Sequence, residues 1–296
     1  MATTETSLIL SADAWRARVC AHRSRADEKT TPALRRRAAG GPHPVEDFLF
    51  TYFRFSFGKI RQWHPPVGTG LEAADDLPDW FRRPPYSEHR LRVHADAASI
   101  PDKELARLRW IRELLVATRD RTPNFGCFGI HEWAMVFRGN EIRHQKTVPL
   151  RLPQAEVDAF VESRPICCSH FDAFRFFTPA AQPLNKLQPG LMSRPEFEQP
   201  GCVHAGMDLY KWAGKAMPWV GTDLWFDCFL LALELRDLDM RASPYDLTQF
   251  GLEAIPVETA EGRRQYEAEQ RRLSEAAAPL RQDLIVALDR VFELRS

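Results

Sequence analysis

The sequence carries no net charge, because 40 Lys and Arg balance 40 Asp and Glu over 296 residues. A global electrostatic pull toward nucleic acid is therefore excluded, and any such contact must come from a local patch. No run of about 18 apolar residues occurs, so no membrane span is expected. The most apolar stretch, Leu224 to Leu235, is short and carries Asp227. The first ten residues lack the basic start and long apolar core of a secretory signal, which reads as a cytoplasmic chain. The 6 cysteines form no C-x-x-C pair, which excludes a disulfide scaffold or zinc ribbon and leaves reduced, mostly buried thiols. The phosphate-binding loop G-x-x-x-x-G-K-[ST] and the dinucleotide fingerprint G-x-G-x-x-G are both missing. No internal repeat or low-complexity linker marks a boundary, so one domain over residues 1–296 is expected.

What is present is ordinary globular composition, with 44% apolar and 27% charged residues. Ser11 can cap a basic helix running to Ala39, where Arg35, Arg36 and Arg37 precede a Gly-Gly-Pro stop. That face is either a solvated surface or a local phosphate contact. A second, largely buried helix is expected from Pro44 to Phe57, and Gly68 to Pro101 reads as a long irregular region. Further helices are expected at Pro101–Arg119, Ala155–Glu162, Cys202–Ala216 and Thr222–Arg241. A last helical region, Gly262–Leu294, should bend or divide at Pro279. Val148–Leu152 reads as a short strand. The fold class is mainly α with a minor β element, a single compact helix-rich domain with its catalytic core over about residues 124–250.

Histidine placement points to the chemistry. His131-Glu132 follows a Gly-punctuated loop, His144 follows Arg143, His170 and Asp172 form an H-x-D pair, and His204 and Asp208 share a helix face four apart. Imidazole and carboxylate together are the usual ligands of zinc and non-haem iron, so His170, Asp172 and His204 are a candidate triad. His131-Glu132 is not the start of an H-E-x-x-H helix, because position 135 is Met. Without metal, Glu132, Asp172, Asp208 and His131 are candidates for acid–base catalysis, in particular activation of water at a glycosidic bond. Arg143, Arg151 and Arg175 could hold an anionic substrate, Lys211 stands one turn beyond Asp208, and Tyr210 belongs to the aromatic residues that could contact a substrate. Asp239, Arg241, Tyr245 and Asp246 form a polar knot at a helix end, either a site wall or a capping network. Cys127 is a further nucleophile candidate, with no basic neighbour evident in its immediate sequence. The alternative for the His and Phe cluster is satisfied core packing, with Asp172 paired to Arg175.

Several strings are similar to one known family. They are residues 43–50 (HPVEDFLF), 63–65 (WHP), 124–136 (NFGCFGIHEWAMV), 169–178 (SHFDAFRFFT), 198–204 (EQPGCVH), 207–213 (MDLYKWA) and 238–247 (LDMRASPYDL). Together they resemble actinobacterial proteins commonly named 3-methyladenine DNA glycosylase, over nearly the whole chain. The resemblance implies hydrolytic release of an alkylated purine from DNA, with the basic first helix as the DNA contact. Relatives often carry Asn in place of Gly206 and Gly in place of Pro66. The helix-hairpin-helix architecture is not expected, since residues 65–68 only partly match its hairpin and Asp75, Asp76 and Asp79 lie too near. The alternatives are a zinc or non-haem iron enzyme acting on a small molecule, and a non-catalytic binding protein.

Overall fold

In a computed structural model the protein is described over residues 8–139 and 148–295. The helices are α1 (Ala12–Ala38), α2 (Phe48–Tyr52), α3 (Phe57–Ile60), α4 (Asp102–Arg119), α5 (Ile130–Ala134) and α6 (Gln154–Glu162). They continue with α7 (Phe171–Phe174), α8 (Arg194–Phe197), α9 (Val203–Lys215), α10 (Thr222–Arg241) and α11 (Ala260–Arg295). A small sheet holds β1 (Leu8–Leu10), β2 (Thr69–Glu72), β3 (Tyr86–His89) and β4 (Arg92–Ala95) in the order β1-β2-β4-β3. The β1–β2 pair is parallel and the other two are antiparallel. The fold is therefore mainly helical with a minor mixed sheet. Two compact units divide the described chain, one built on residues 1–115, 209–230 and 280–296, the other on residues 116–208 and 231–279.

In the first unit, Ser11 caps α1 by accepting from the Ala14 amide at 3.3 Å, as its sequence predicts. The inner face of α1 buries Trp15, His22, Ala26, Thr30 and Ala33. Its outer arginines are largely engaged with acids: Arg16 with Asp76 at 2.8 Å, Arg25 with Asp227 at 3.0 Å and Arg36 with Asp47 at 2.6 Å. The helix expected from Pro44 to Phe57 is reduced to α2, because Arg54 takes a left-handed φ of 56° that no helix can continue through, and α3 begins only at Phe57. The region expected to be irregular holds β2, β3 and β4 instead. Its hairpin turns on Arg90 and Leu91, with φ of 49° and 59°, as a two-residue turn in which both central residues are left-handed. Residues 65–68 lead into β2 rather than into a helix.

In the second unit, Trp133 of α5 is fully buried, donates to the Ala242 carbonyl at 2.8 Å and stacks edge-on against Phe160 of α6. The strand expected at Val148–Leu152 is reduced to one bridge between Leu150 and Tyr245. Pro279 lies inside α11, which continues through it rather than dividing. Near the start of α11, a Cβ on Gly262 would collide with the backbone carbonyl of Pro256. Backbone cannot rotate away as a side chain can, so Gly262→Ala is expected to destabilise by about 1–3 kcal/mol. Helix propensity alone predicts the opposite sign. A thermal melt followed by circular dichroism decides between them, and a raised midpoint would mean that the Pro256 turn yields freely.

Candidate active site

The second unit builds its site on a loop that turns left-handed twice. Asn124 Oδ1 accepts from the Gly126 amide at 2.8 Å. Gln199 holds the loop from outside, its Oε1 accepting from the Asn124 and Gly201 amides at 2.8 and 2.7 Å and its Nε2 donating to the Asn124 carbonyl at 3.1 Å. A Cβ on Gly201 would lie 2.8 Å from that carbonyl, so the approach needs glycine. Phe128 and Gly129 then adopt φ of 47° and 73°, and the chain enters α5 with His131 and Glu132 buried. A Cβ on Gly129 would meet the Ala242 Cβ at 3.0 Å and the Tyr266 ring at 3.4 Å, so this turn sits directly on α11.

Two buried groups of His and carboxylate donors result, each with ligand atoms within 4.8 Å of one another: His131, Glu132, His204 and Asp239, and His170, Glu198 and Asp208. The groups adjoin, with His204 centred 4.6 Å from the His131 ring and 5.5 Å from the His170 ring. In the first group His131 is held at both nitrogens. Its Nε2 lies 2.8 Å from Asp239 Oδ1 and its Nδ1 lies 3.3 Å from Cys127 Sγ. Arg236 Nη1 donates to Asp239 Oδ2 at 3.0 Å and reaches Glu132 Oε1 at 3.3 Å. In the second group His170 Nε2 lies 3.2 Å from Asp208 Oδ2, and Arg194 binds Glu198 at 2.6 Å, Asp208 at 2.9 Å and Asp172 at 3.0 Å.

Burial and charge together set the proton positions. For His131, burial opposes the imidazolium, but Asp239 on one side and the Cys127 sulfur on the other outweigh it and hold the ring protonated well above the usual range. Burial raises the Asp239 carboxyl, yet His131, His204 and Arg236 pull it below its ordinary value. His204 is driven neutral by burial despite Asp239, titrating at about 3. Burial and the nearby Asp239 push Glu132 up to about 7.

The residues predicted from sequence scatter around this centre. His131, Glu132, His170, His204 and Asp208 come together in it. The triad of His170, Asp172 and His204 does not form, because Asp172 on α7 turns to Arg194 and, at 3.3 Å, to Arg175, while Asp208 takes the place beside His170. Arg175 also covers the Phe176 ring. Arg151 is locked in a two-pronged pair with Glu258, 2.7 and 2.5 Å, over the Trp133 ring. Arg241 donates to the Glu253 carbonyl, Asp246 caps the turn at Thr248, and Tyr245 is buried beside the Leu150 bridge, so the polar knot is mostly capping. Asp239 is its exception. Tyr210 and Lys211 belong to the first unit, Tyr210 among Phe53, Phe55, Trp225 and Phe229 and Lys211 over the Trp212 ring. Arg143 and His144 lie outside the described residues. Cys127 gains the basic neighbour that its sequence surroundings seemed to lack. The signal was the four-residue spacing to His131, which a loop entering a helix folds back on itself.

A cavity of about 10 Å³, room for about one water molecule, opens beside Cys127, His131 and His204. Cys168, Cys202, Tyr266 and Gln270 also line it. Of these lining residues, the Tyr266 hydroxyl, Gln270 Oε1 and His204 Nδ1 are buried without a hydrogen-bond partner among the described residues. No family model, no curated protein and no solved structure matches the chain.

Two outcomes test this electrostatic layout. Native protein keeps the Glu132 proton up to about pH 7, whereas an ordinary glutamate releases it near 4.5. The stability this proton confers is complete below 4.5 and lost as pH rises through 7. His204 works oppositely between 3 and 6.5, gaining stability as pH rises. Glu132→Gln removes only the first contribution, so urea unfolding should show the variant gaining on the native protein between about pH 4.5 and about pH 8. A constant difference would place the Glu132 charge elsewhere. For the metal candidates, Arg194 and Arg236 already contact the carboxylates that an ion would use, and an entering cation must displace them. Elemental analysis of protein purified without chelator is therefore expected to find far less than one iron or zinc per chain. A stoichiometric content would show that the guanidinium contacts give way to metal.

Proposed function

We propose that the protein is an enzyme in which Cys127 is the nucleophile, His131 its acid–base partner and Asp239 the group that orients His131. The observation that carries this is the unbroken line from Cys127 Sγ through the two nitrogens of His131 to Asp239, 3.3 and 2.8 Å. A nucleophile within hydrogen-bond reach of a base, itself oriented by a third group, is the arrangement that activates a weak nucleophile. Asp239 is fully buried and fixed by Arg236, so the imidazole cannot swing away. Cys127 is only partly buried and lines the cavity. Its chemistry is substitution at an electrophilic carbon through a covalent thioether or thioester.

Cys127 is expected to react with iodoacetamide faster than the exposed Cys20, as read by peptide mass spectrometry. Asp239→Asn should slow Cys127 and leave Cys20 unchanged. Equal rates at the two thiols would remove the case for an activated nucleophile.

Glycosidic hydrolysis is the second chemistry, favoured by the resemblance to the 3-methyladenine glycosylases and by Glu132, a buried carboxyl that titrates at about 7 and suits a general base. A cavity with room for about one water cannot receive a purine as it stands, so this activity requires the site to open. Release of methylated base from alkylated DNA that is lost in Glu132→Gln and kept in Cys127→Ser would favour it over thiol catalysis.

A further inference from the structure

Tyr266 is fully buried, lines the cavity beside Cys127, and its hydroxyl has no partner among the described residues. A buried hydroxyl without a hydrogen bond costs free energy, and in a native fold it calls for an explanation. The ring packs beside Gly129, two residues beyond Cys127, where an added Cβ would lie 3.4 Å from it and 3.0 Å from the Ala242 Cβ. Burial also raises the phenol well above its usual range, so it stays a proton donor. The cavity accommodates about one oxygen-sized atom, and Cys127, only partly buried, lines it. A space of one oxygen, with a fixed donor and a neighbouring nucleophile, is the geometry of an oxyanion site.

Resting on the assignment of Cys127 as nucleophile, we propose that Tyr266 is a catalytic residue that donates to a developing oxyanion, and that the substrates are small neutral acyl compounds, esters or amides. The Cys127 thiolate attacks the carbonyl carbon, a C–S bond forms, and the C=O π pair moves to the oxygen, which sits in the cavity and accepts from Tyr266. The oxyanion collapses, the bond to the leaving oxygen or nitrogen breaks, and that atom takes the proton from His131. Water, giving a proton back to His131, then cleaves the thioester and releases the acid.

Two probes separate this from the simpler assignment. Alkylation by iodoacetamide displaces iodide at a tetrahedral carbon and creates no oxyanion, whereas acetylation by 4-nitrophenyl acetate does. Tyr266→Phe removes only an unpartnered hydroxyl and is expected to fold, which a thermal melt checks. It should alkylate at Cys127 at the native rate, while nitrophenol release and acetyl transfer to Cys127 fall by on the order of 10²–10³-fold. Equal losses for both probes, or none for acetylation, would overturn the role of Tyr266. Native protein that alkylates at Cys127 yet never acetylates there would overturn the acyl substrate class and leave the nucleophile standing. Failure of selective alkylation would strike the nucleophile itself.

Discussion

The second unit depends on how it compensates the carboxylate of Asp239, which has no exposure at all. A carboxylate stripped of water is tolerable only when paired and hydrogen-bonded. Asp239 meets that condition with His131 on one oxygen and Arg236 on the other. The consequences spread outward. His131 is forced into one orientation, which presents its Nδ1 to Cys127. Arg236, drawn in by Asp239, also faces Glu132 and tempers a carboxyl that burial would otherwise raise further. His204, beside the same carboxylate but with burial dominant, stays neutral. Two histidines whose rings are 4.6 Å apart thus differ in protonation, His131 held charged by Asp239 and His204 kept neutral by burial.

The second group repeats the device with Arg194, which serves Asp172, Glu198 and Asp208 at once. Guanidinium is planar and always charged, and its fork can satisfy several carboxylates in fixed directions. Both clusters have the donor types of a metal site, yet each already holds a cation that belongs to the chain. Ligand type and ligand proximity therefore do not distinguish a metal centre from an arginine-centred one, and the position of the guanidinium does.

Much of the helical framework was legible in the sequence, because α1, α4, α6, α9 and α10 carry either caps or clear apolar spacing. The sheet was not. Its strands span three or four residues, too few for alternation to register, and its hairpin turns on Arg90 and Leu91 rather than on the Asn-Gly type that advertises such a turn. The break at Arg54 was hidden for a similar reason, since a left-handed arginine leaves no local mark. At the site, His131, Glu132, His170, His204 and Asp208 could be picked out by residue type and mutual spacing. Arg194, Arg236 and Tyr266 could not. They are ordinary in sequence and acquire their roles only from what tertiary packing sets beside them. Asp172 misled for the converse reason: two residues from His170, it looks like a partner, but an arginine 22 positions later takes it away.

The glycines explain why so much chemistry fits in so small a space. Gly129 sits where a Cβ would crowd Ala242, and Gly201 where one would strike the Asn124 carbonyl. Without side chains there, the Cys127 loop can lie against α11 and Gln199 can clasp it. Gly206 belongs to the same set, because a Cβ would approach Leu235 Cδ1 to 2.7 Å between the turns that carry His204 and Asp208. Leucine's terminal methyl can rotate, so this contact is more forgiving than the others. A larger side chain at this position would have to displace the Leu235 side chain between the turns that carry His204 and Asp208. Close approach at residues 129 and 201 therefore lets the Cys127 loop pack against Tyr266 and Gln199, both of which line a cavity with room for about one water.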